Sequence, residues 1–200
     1  MELRRDRPLY DKLQSFQIVN DSNESVEVNL VFRILSGYQP SPIPGQTEAL
    51  FHFELTDERD PYFLYYFMIT EQDFPVYKRE QEILVDYSVF PLKIIELLEL
   101  CVQKPSRGSA SSDSSYMAKL NLKSSKLSIY ESNNFKQIKH IELPLRQGDD
   151  NAIKMYLASR LSLALEILKQ NSMRITSLQE QLEDETSLKL KIEKDLYEYQ

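Results

Sequence analysis

Residues 126–165 read KLSIYESNNFKQIKHIELPLRQGDDNAIKMYLASRLSLAL, and inside this stretch the apolar period changes. Leu127 and Ile129, then Ile141, Leu143 and Leu145, alternate with polar residues as half-buried strands do. Beyond Gly148 the spacing lengthens to that of an amphipathic helix, with Asp149 or Asp150 placed to cap its first turn. The boundary near residue 150 therefore separates a β-rich head, 1–150, from a helical segment, 151–200. One residue does not fit. The turn between the two strands, Asn133 to Lys136, asks for small polar side chains, which the two Asn supply, yet it carries Phe135. Such a ring either tucks beneath its own sheet or stands out for a partner.

Toward the N-terminus, SVEVNLVFRI alternates at Val26, Val28, Leu30, Phe32 and Ile34, and ALFHFEL resumes the pattern at Phe51 and Phe53. Between them GYQPSPIPGQ reads as a loop, because its three Pro and two Gly oppose a regular element. Tyr62 to Ile69 and Ile83 to Tyr87 read as strands, with a short helical turn opening near Asp73. Pro91 is expected to start a helix through Cys101, carrying Leu92, Ile95 and Leu98 on one face. Residues 103–115 are Ser-rich and read as a surface loop, and YMAKLNL is a further strand. At least six strands with two short helices predict a mainly β head, a sandwich or a partly closed barrel.

Residues 151–200 contain neither Pro nor Gly and would extend about 75 Å as a continuous helix. Leu161, Leu168, Ile175, Leu182, Lys189 and Leu196 recur every seven residues, followed three residues later by Ala164, Asn171, Leu178, Glu185, Ile192 and Tyr199. These are the a and d positions of a heptad repeat, which buries its seam against a second helix. The polar members Asn171, Glu185 and Lys189 weaken the seam and restrict its register. The pattern is still running at Gln200, so the coil is expected to continue in a longer parent chain.

The 200 residues carry 24 Lys and Arg against 31 Asp and Glu, a net charge of −7. No basic stripe of the kind that tracks nucleic acid is visible, and no apolar run is long enough to span a membrane. MELRRDRPLYDKL lacks the apolar core of a secretory signal, and the lone Cys101 excludes a disulfide within the chain, so a cytoplasmic location is expected. Four Gly, at 37, 45, 108 and 148, build no phosphate loop. His52, His140 and Cys101 have no metal-ligand spacing, and Asp57, Asp60, Glu71, Asp73 and Asp86 form no acid/base pair along the chain. The expectation is no enzyme, no cofactor and no metal, and a surface built to meet protein.

LTDERDPYFLYYFMITEQDF followed by ILVDYSVFPLKIIELLELC resembles the N-terminal domain of the centriolar cartwheel family, spindle assembly abnormal protein six, over roughly residues 26–165. The resemblance implies a head like that of the end-joining ligase scaffold, joined to a parallel two-stranded coiled coil. It further implies coil-mediated homodimers whose heads meet to close a ninefold ring, the cartwheel hub, at the centriole, centrosome or basal body, with other centriolar proteins as partners. The family's head-to-head residue maps onto NNFKQIKHIELPL, which makes Phe135, flanked by Asn134 and Lys136, the expected anchor. The alternative is a dimeric adaptor of the ligase-scaffold sort, whose coil holds a client protein.

Overall fold

One curled sheet of nine strands forms the head in the computed structural model, which describes residues 2–3, 7–19, 24–102 and 114–198. In chain order the elements are β1 (Glu2–Leu3), β2 (Tyr10–Val19), β3 (Ser25–Pro40), β4 (Thr47–Thr56), β5 (Leu64–Thr70), α1 (Phe74–Glu80), α2 (Phe90–Val102), β6 (Ser115–Asn121), β7 (Lys126–Ser132), β8 (Gln137–Pro144), β9 (Arg146–Gln147) and α3 (Asp150–Glu198). The strand order is β8-β7-β6-β2-β3-β4-β5-β9, with β1 beside β3, and every pair is antiparallel except β2 with β6. β8 and β9 lie at opposite ends of that order, yet only Leu145 separates them in the chain. The sheet must therefore curl until its two ends nearly meet. This corrects the sandwich expectation in favour of its partly closed alternative.

The core fills the concave side. Phe16, Phe32, Phe53 and Phe90 are fully buried with Leu30, Ile34, Leu55, Leu98 and Leu120, and each such ring or branched chain contributes about 1.5–3 kcal/mol of burial. α2 inserts Phe90, Ile94 and Leu98, and Phe90 meets Phe53 edge-on at 5.8 Å and Phe74 at 5.2 Å. Pro75 falls in the first turn of α1, where its missing N–H breaks no bond. Asp73 does not cap that helix; it accepts the Thr70 hydroxyl at 3.0 Å and so closes the preceding turn.

Several expectations change. β3 runs through GYQP to Pro40, because Pro is tolerated at a strand end and Gly37 and Tyr38 pair with β1 as well as β4. Residues 83–87 alternate as predicted, with Ile83, Val85 and Tyr87 against the core, but the segment is irregular, bending at Val85 and turning from Tyr87, and finds no ladder partner. β2 shows no clear alternation in the sequence, because Gln14, a polar residue, occupies an inward position between Tyr10 and Phe16; its amide donates to the Tyr10 hydroxyl. The expected strand from Tyr62 begins at Leu64. The central strands β3 and β4 bury both faces, so Arg33, His52, Glu54 and Thr56 lie inside with Val31 and Leu35.

The chain divides into two compact units, Met1–Ile153 and Lys154–Gln200. α3, which begins at Asp150 and supplies the described part of the second unit, is unbroken over its 49 residues. Asp149 provides its cap, accepting the Ala152 N–H at 2.7 Å. Most of the 103–115 segment and the seam position Tyr199 lie outside the described residues.

Candidate assembly surfaces

The β7–β8 turn is built around Asn133. Its side-chain oxygen accepts the backbone N–H groups of Phe135 at 2.9 Å and Lys136 at 2.8 Å, and its own N–H donates to the Lys136 carbonyl at 3.1 Å. Ser132 then pairs with Gln137 and the ladder resumes. An Asx turn of this kind fixes the backbone with small polar groups alone, so the ring two residues on is not needed to hold it. Phe135 is 92% exposed. Asn134 and Lys136 flank it on the surface. Phe135, Asn134 and Lys136, the residues expected at a head contact, thus stand together on the surface, and Asn133, which the sequence offers only as a small turn residue two positions before the ring, holds the backbone that carries them.

A second apolar side chain stands equally free: Leu84, 94% exposed, between the inward Ile83 and Val85. The parity of ILVDY was enough to point it outward. On the outer face, where β5 approaches the segment after β8, a cleft of about 430 Å³ is lined by Tyr66, Met68, Asp73, Leu145 and Arg146 among others.

Along α3 the apolar heptad positions Leu161, Leu168, Ile175, Leu178, Leu182 and Ile192 are all exposed. Ala164, Asn171, Glu185 and Lys189 share their exposure, and Leu196 lies within the described helix. An exposed apolar row at heptad spacing leaves the helix without the cover such a row ordinarily finds.

The chemistry-bearing residues weighed from sequence are dispersed. His52 is buried with its Nδ1 3.3 Å from Glu54 Oε1. His140 meets Glu131 at 2.9 Å and stacks on Tyr116. Cys101 rests half-buried against the Leu97 carbonyl, and burial pushes its thiol up to about 11. Among the described residues no group of three or more His, Cys, Asp or Glu gathers as a metal site would require. The carboxylates make local bonds: Asp57 binds Arg59, which holds its carboxyl below the usual range, Asp60 receives the Tyr62 N–H, and Asp86 pairs with Lys78. No described helix is long and apolar enough to cross a membrane.

Residues 8–145 match the family model of the Centriolar protein SAS N-terminal domain, SAS-6_N. The Spindle assembly abnormal protein 6 homolog of Danio rerio is 35% identical over 173 residues, covering 83% of this chain and 27% of that protein. The Mus musculus homolog is 36% identical over 115 residues, covering 56% and 18%. The chain thus spans only about a quarter of the first relative's length. Among solved structures, an N-terminal fragment of Leishmania SAS-6 that contains part of its coiled coil superposes with a TM-score of 0.75 at 22% identity, over 90% of this chain and 94% of that one. An N-terminal fragment of Drosophila melanogaster Sas-6, dimerised via its coiled-coil domain, gives 0.59 at 17% identity, over 84% and 79%. The curled β head and long terminal helix are thus the fold of those fragments, and the match over residues 8–145 shows that this chain belongs to the centriolar SAS-6 N-terminal domain family.

Proposed function

We propose that this chain is the head and first stretch of stalk of a self-assembling centriolar scaffold. Two α3 helices pair in parallel along the heptad seam to make a homodimer, and Phe135 of one head inserts into the head of a neighbouring dimer. Repetition of the second contact closes the ninefold hub from which the stalks radiate, at the centriole in the cytoplasm. Family membership supports the scaffold reading over a client-binding adaptor, and the homodimeric Drosophila fragment supports the seam. The observation that carries the head contact is Phe135 itself: a ring held at 92% exposure by a turn that does not need it. A rigid aromatic anchor that a partner desolvates is the usual core of a binding hot spot. One anchor yields a weak contact, which suits a closed ring whose interfaces reinforce one another.

The test is sedimentation of 1–200 and its Phe135→Glu variant at about 1 M salt, where exposed charges act over only roughly 3 Å. The parent should grow beyond dimers with concentration. The variant should keep its circular dichroism and its dimer and form nothing larger, because a buried carboxylate is costly to desolvate. A variant that unfolds would return Phe135 to its own core, and one that still assembles would move the contact elsewhere.

A further inference from the structure

Charge in the head is segregated. Residues 115–145, which hold β6 to β8 and their turns, carry five Lys against two Glu, whereas the rest of 1–150 carries twelve basic and 21 acidic residues. Ala118, Leu120, Leu127, Ile129, Ile141 and Leu143 point into the core, so the opposite parity defines an outer face. On it Lys119 stands opposite Ser128 and Ser128 opposite Glu142; Lys139 has the parity of Ile141, and the register shift between Ile129 and Tyr130 sets it opposite Tyr130 on this same face. Lys126 and Lys139 share the single carboxylate of Glu142, at 2.6 and 2.8 Å, and the Lys119 ammonium lies over the Tyr130 ring at 5.3 Å. Three ammonium groups against one carboxylate leave this face positive in an otherwise acidic protein.

The complementary surface lies on α3. Between Arg174 and Lys189 there is no basic residue, and Glu180, Glu183, Asp184 and Glu185 all fall there. Glu180, Glu183 and Asp184 stand at i, i+3 and i+4, one stripe of the helix, and all three are exposed. Among the described residues none of the three is in an ion pair, and like charges at this spacing repel each other along the helix. With Ile175, Leu178, Leu182 and Glu185 in the seam, the stripe occupies the b, c and f positions on the outside of the coil, where pairing leaves it uncovered.

We propose that the lysine face of β6 to β8 on one copy receives the Glu180–Asp184 stripe of α3 from a second copy, an electrostatic contact between molecules. The spacings match. Neighbouring strands carry their side chains about 4.8 Å apart, and helix neighbours at i, i+3 and i+4 stand about 5–6 Å apart. The contact is additional to the two in the scaffold reading and rests on that reading only for which side of α3 is outward. Unlike the Phe135 insertion, it weakens with salt.

The experiment uses the full 1–200 chain carrying Phe135→Glu, so that head insertion plays no part. At about 10 mM salt, where charges act over roughly 30 Å, this protein should form species larger than those it shows at about 1 M. Two charge-reversed versions are added: Lys119→Glu with Lys139→Glu, and Glu180→Lys with Glu183→Lys and Asp184→Lys. Each alone should lose the low-salt species, and an equimolar mixture of the two should regain them. A parent that shows no salt-dependent growth overturns the proposal, as does a mixture that fails to recover. If head reversal abolishes the growth while α3 reversal leaves it intact, the lysine face meets some other acidic surface and the pairing is wrong. Circular dichroism checks folding, and Lys119→Gln with Lys139→Gln replaces the head reversal if that variant unfolds, with the same loss expected.

Discussion

The side-chain oxygen of Asn133 accepts the backbone N–H of Phe135 at 2.9 Å, so the residue that shapes the turn and the residue that leaves the surface are two positions apart. Asn133→Ala removes the acceptor for two N–H groups, that of Lys136 included. Both are exposed and water replaces the lost bonds, so the head should lose only about 0.5–1.5 kcal/mol. Assembly should suffer more, because an unfixed turn must be ordered again on contact. Asn133→Asp keeps the acceptor and should restore both. Thermal melts beside concentration-dependent sedimentation decide it; equal losses in the two assays would deny Asn133 a positioning role.

Glu185 occupies a d position in the proposed seam, which sets two carboxylates near each other across a parallel dimer. Glu185→Leu removes that repulsion and adds apolar burial. The dimer should tighten about tenfold, equivalent to about 1.4 kcal/mol. Sedimentation equilibrium measures it, and a weaker dimer would mean the heptad phase is wrong.

Gly148 follows β9 and donates its N–H to the Leu64 carbonyl at 2.8 Å. A Cβ there would lie 2.9 Å from Leu64 Cδ2 and 3.1 Å from its Cγ, and Leu64 is buried. Gly148→Ala should cost about 1–3 kcal/mol through overpacking. In denaturant titrations the double variant with Leu64→Ala should lose less than the sum of the two single losses, since the smaller side chain removes the clash.

Glu142 sits between the Lys126 and Lys139 ammonium groups, which hold its carboxyl below the usual range, Lys126 the more strongly. A pKa depressed by folding contributes stability above the unfolded value, about 4.3, and that contribution fades as pH falls toward the folded one. The melting deficit of Glu142→Gln should therefore be full at neutral pH and shrink in acid below about pH 4. A deficit independent of pH would place the effect in the backbone bonds at Glu142, whose carbonyl accepts the Tyr77 hydroxyl at 2.9 Å.

Much of the fold was legible because period and punctuation agree. Leu127, Ile129, Ile141 and Leu143 carry period two and are buried, and Gly148 with Asp149 marks the change to helix. Where local pattern and pairing disagree, the reading fails. Ile83, Val85 and Tyr87 have the parity of a strand with no neighbour to bond, whereas β2 has neighbours on both sides and a polar inward Gln14. Alternation reports which side chains face the core; it says nothing about where backbone groups find partners.

By itself, the sequence determined the β-rich head, the uninterrupted helix after it and the presence of a ring in a turn built for small polar groups. Tertiary structure alone decided that the strands join in one curled sheet, since order depends on pairings between residues as distant as Gln17 and Lys119. It also decided that Phe135 stands out: whether a ring tucks under depends on the space beneath it, and here Asn133 closes the turn while the core is already filled by Leu127, Ile129, Ile141 and Leu143. The facing of Lys119, Lys126 and Lys139 came from the register of three strands, which no local period carries.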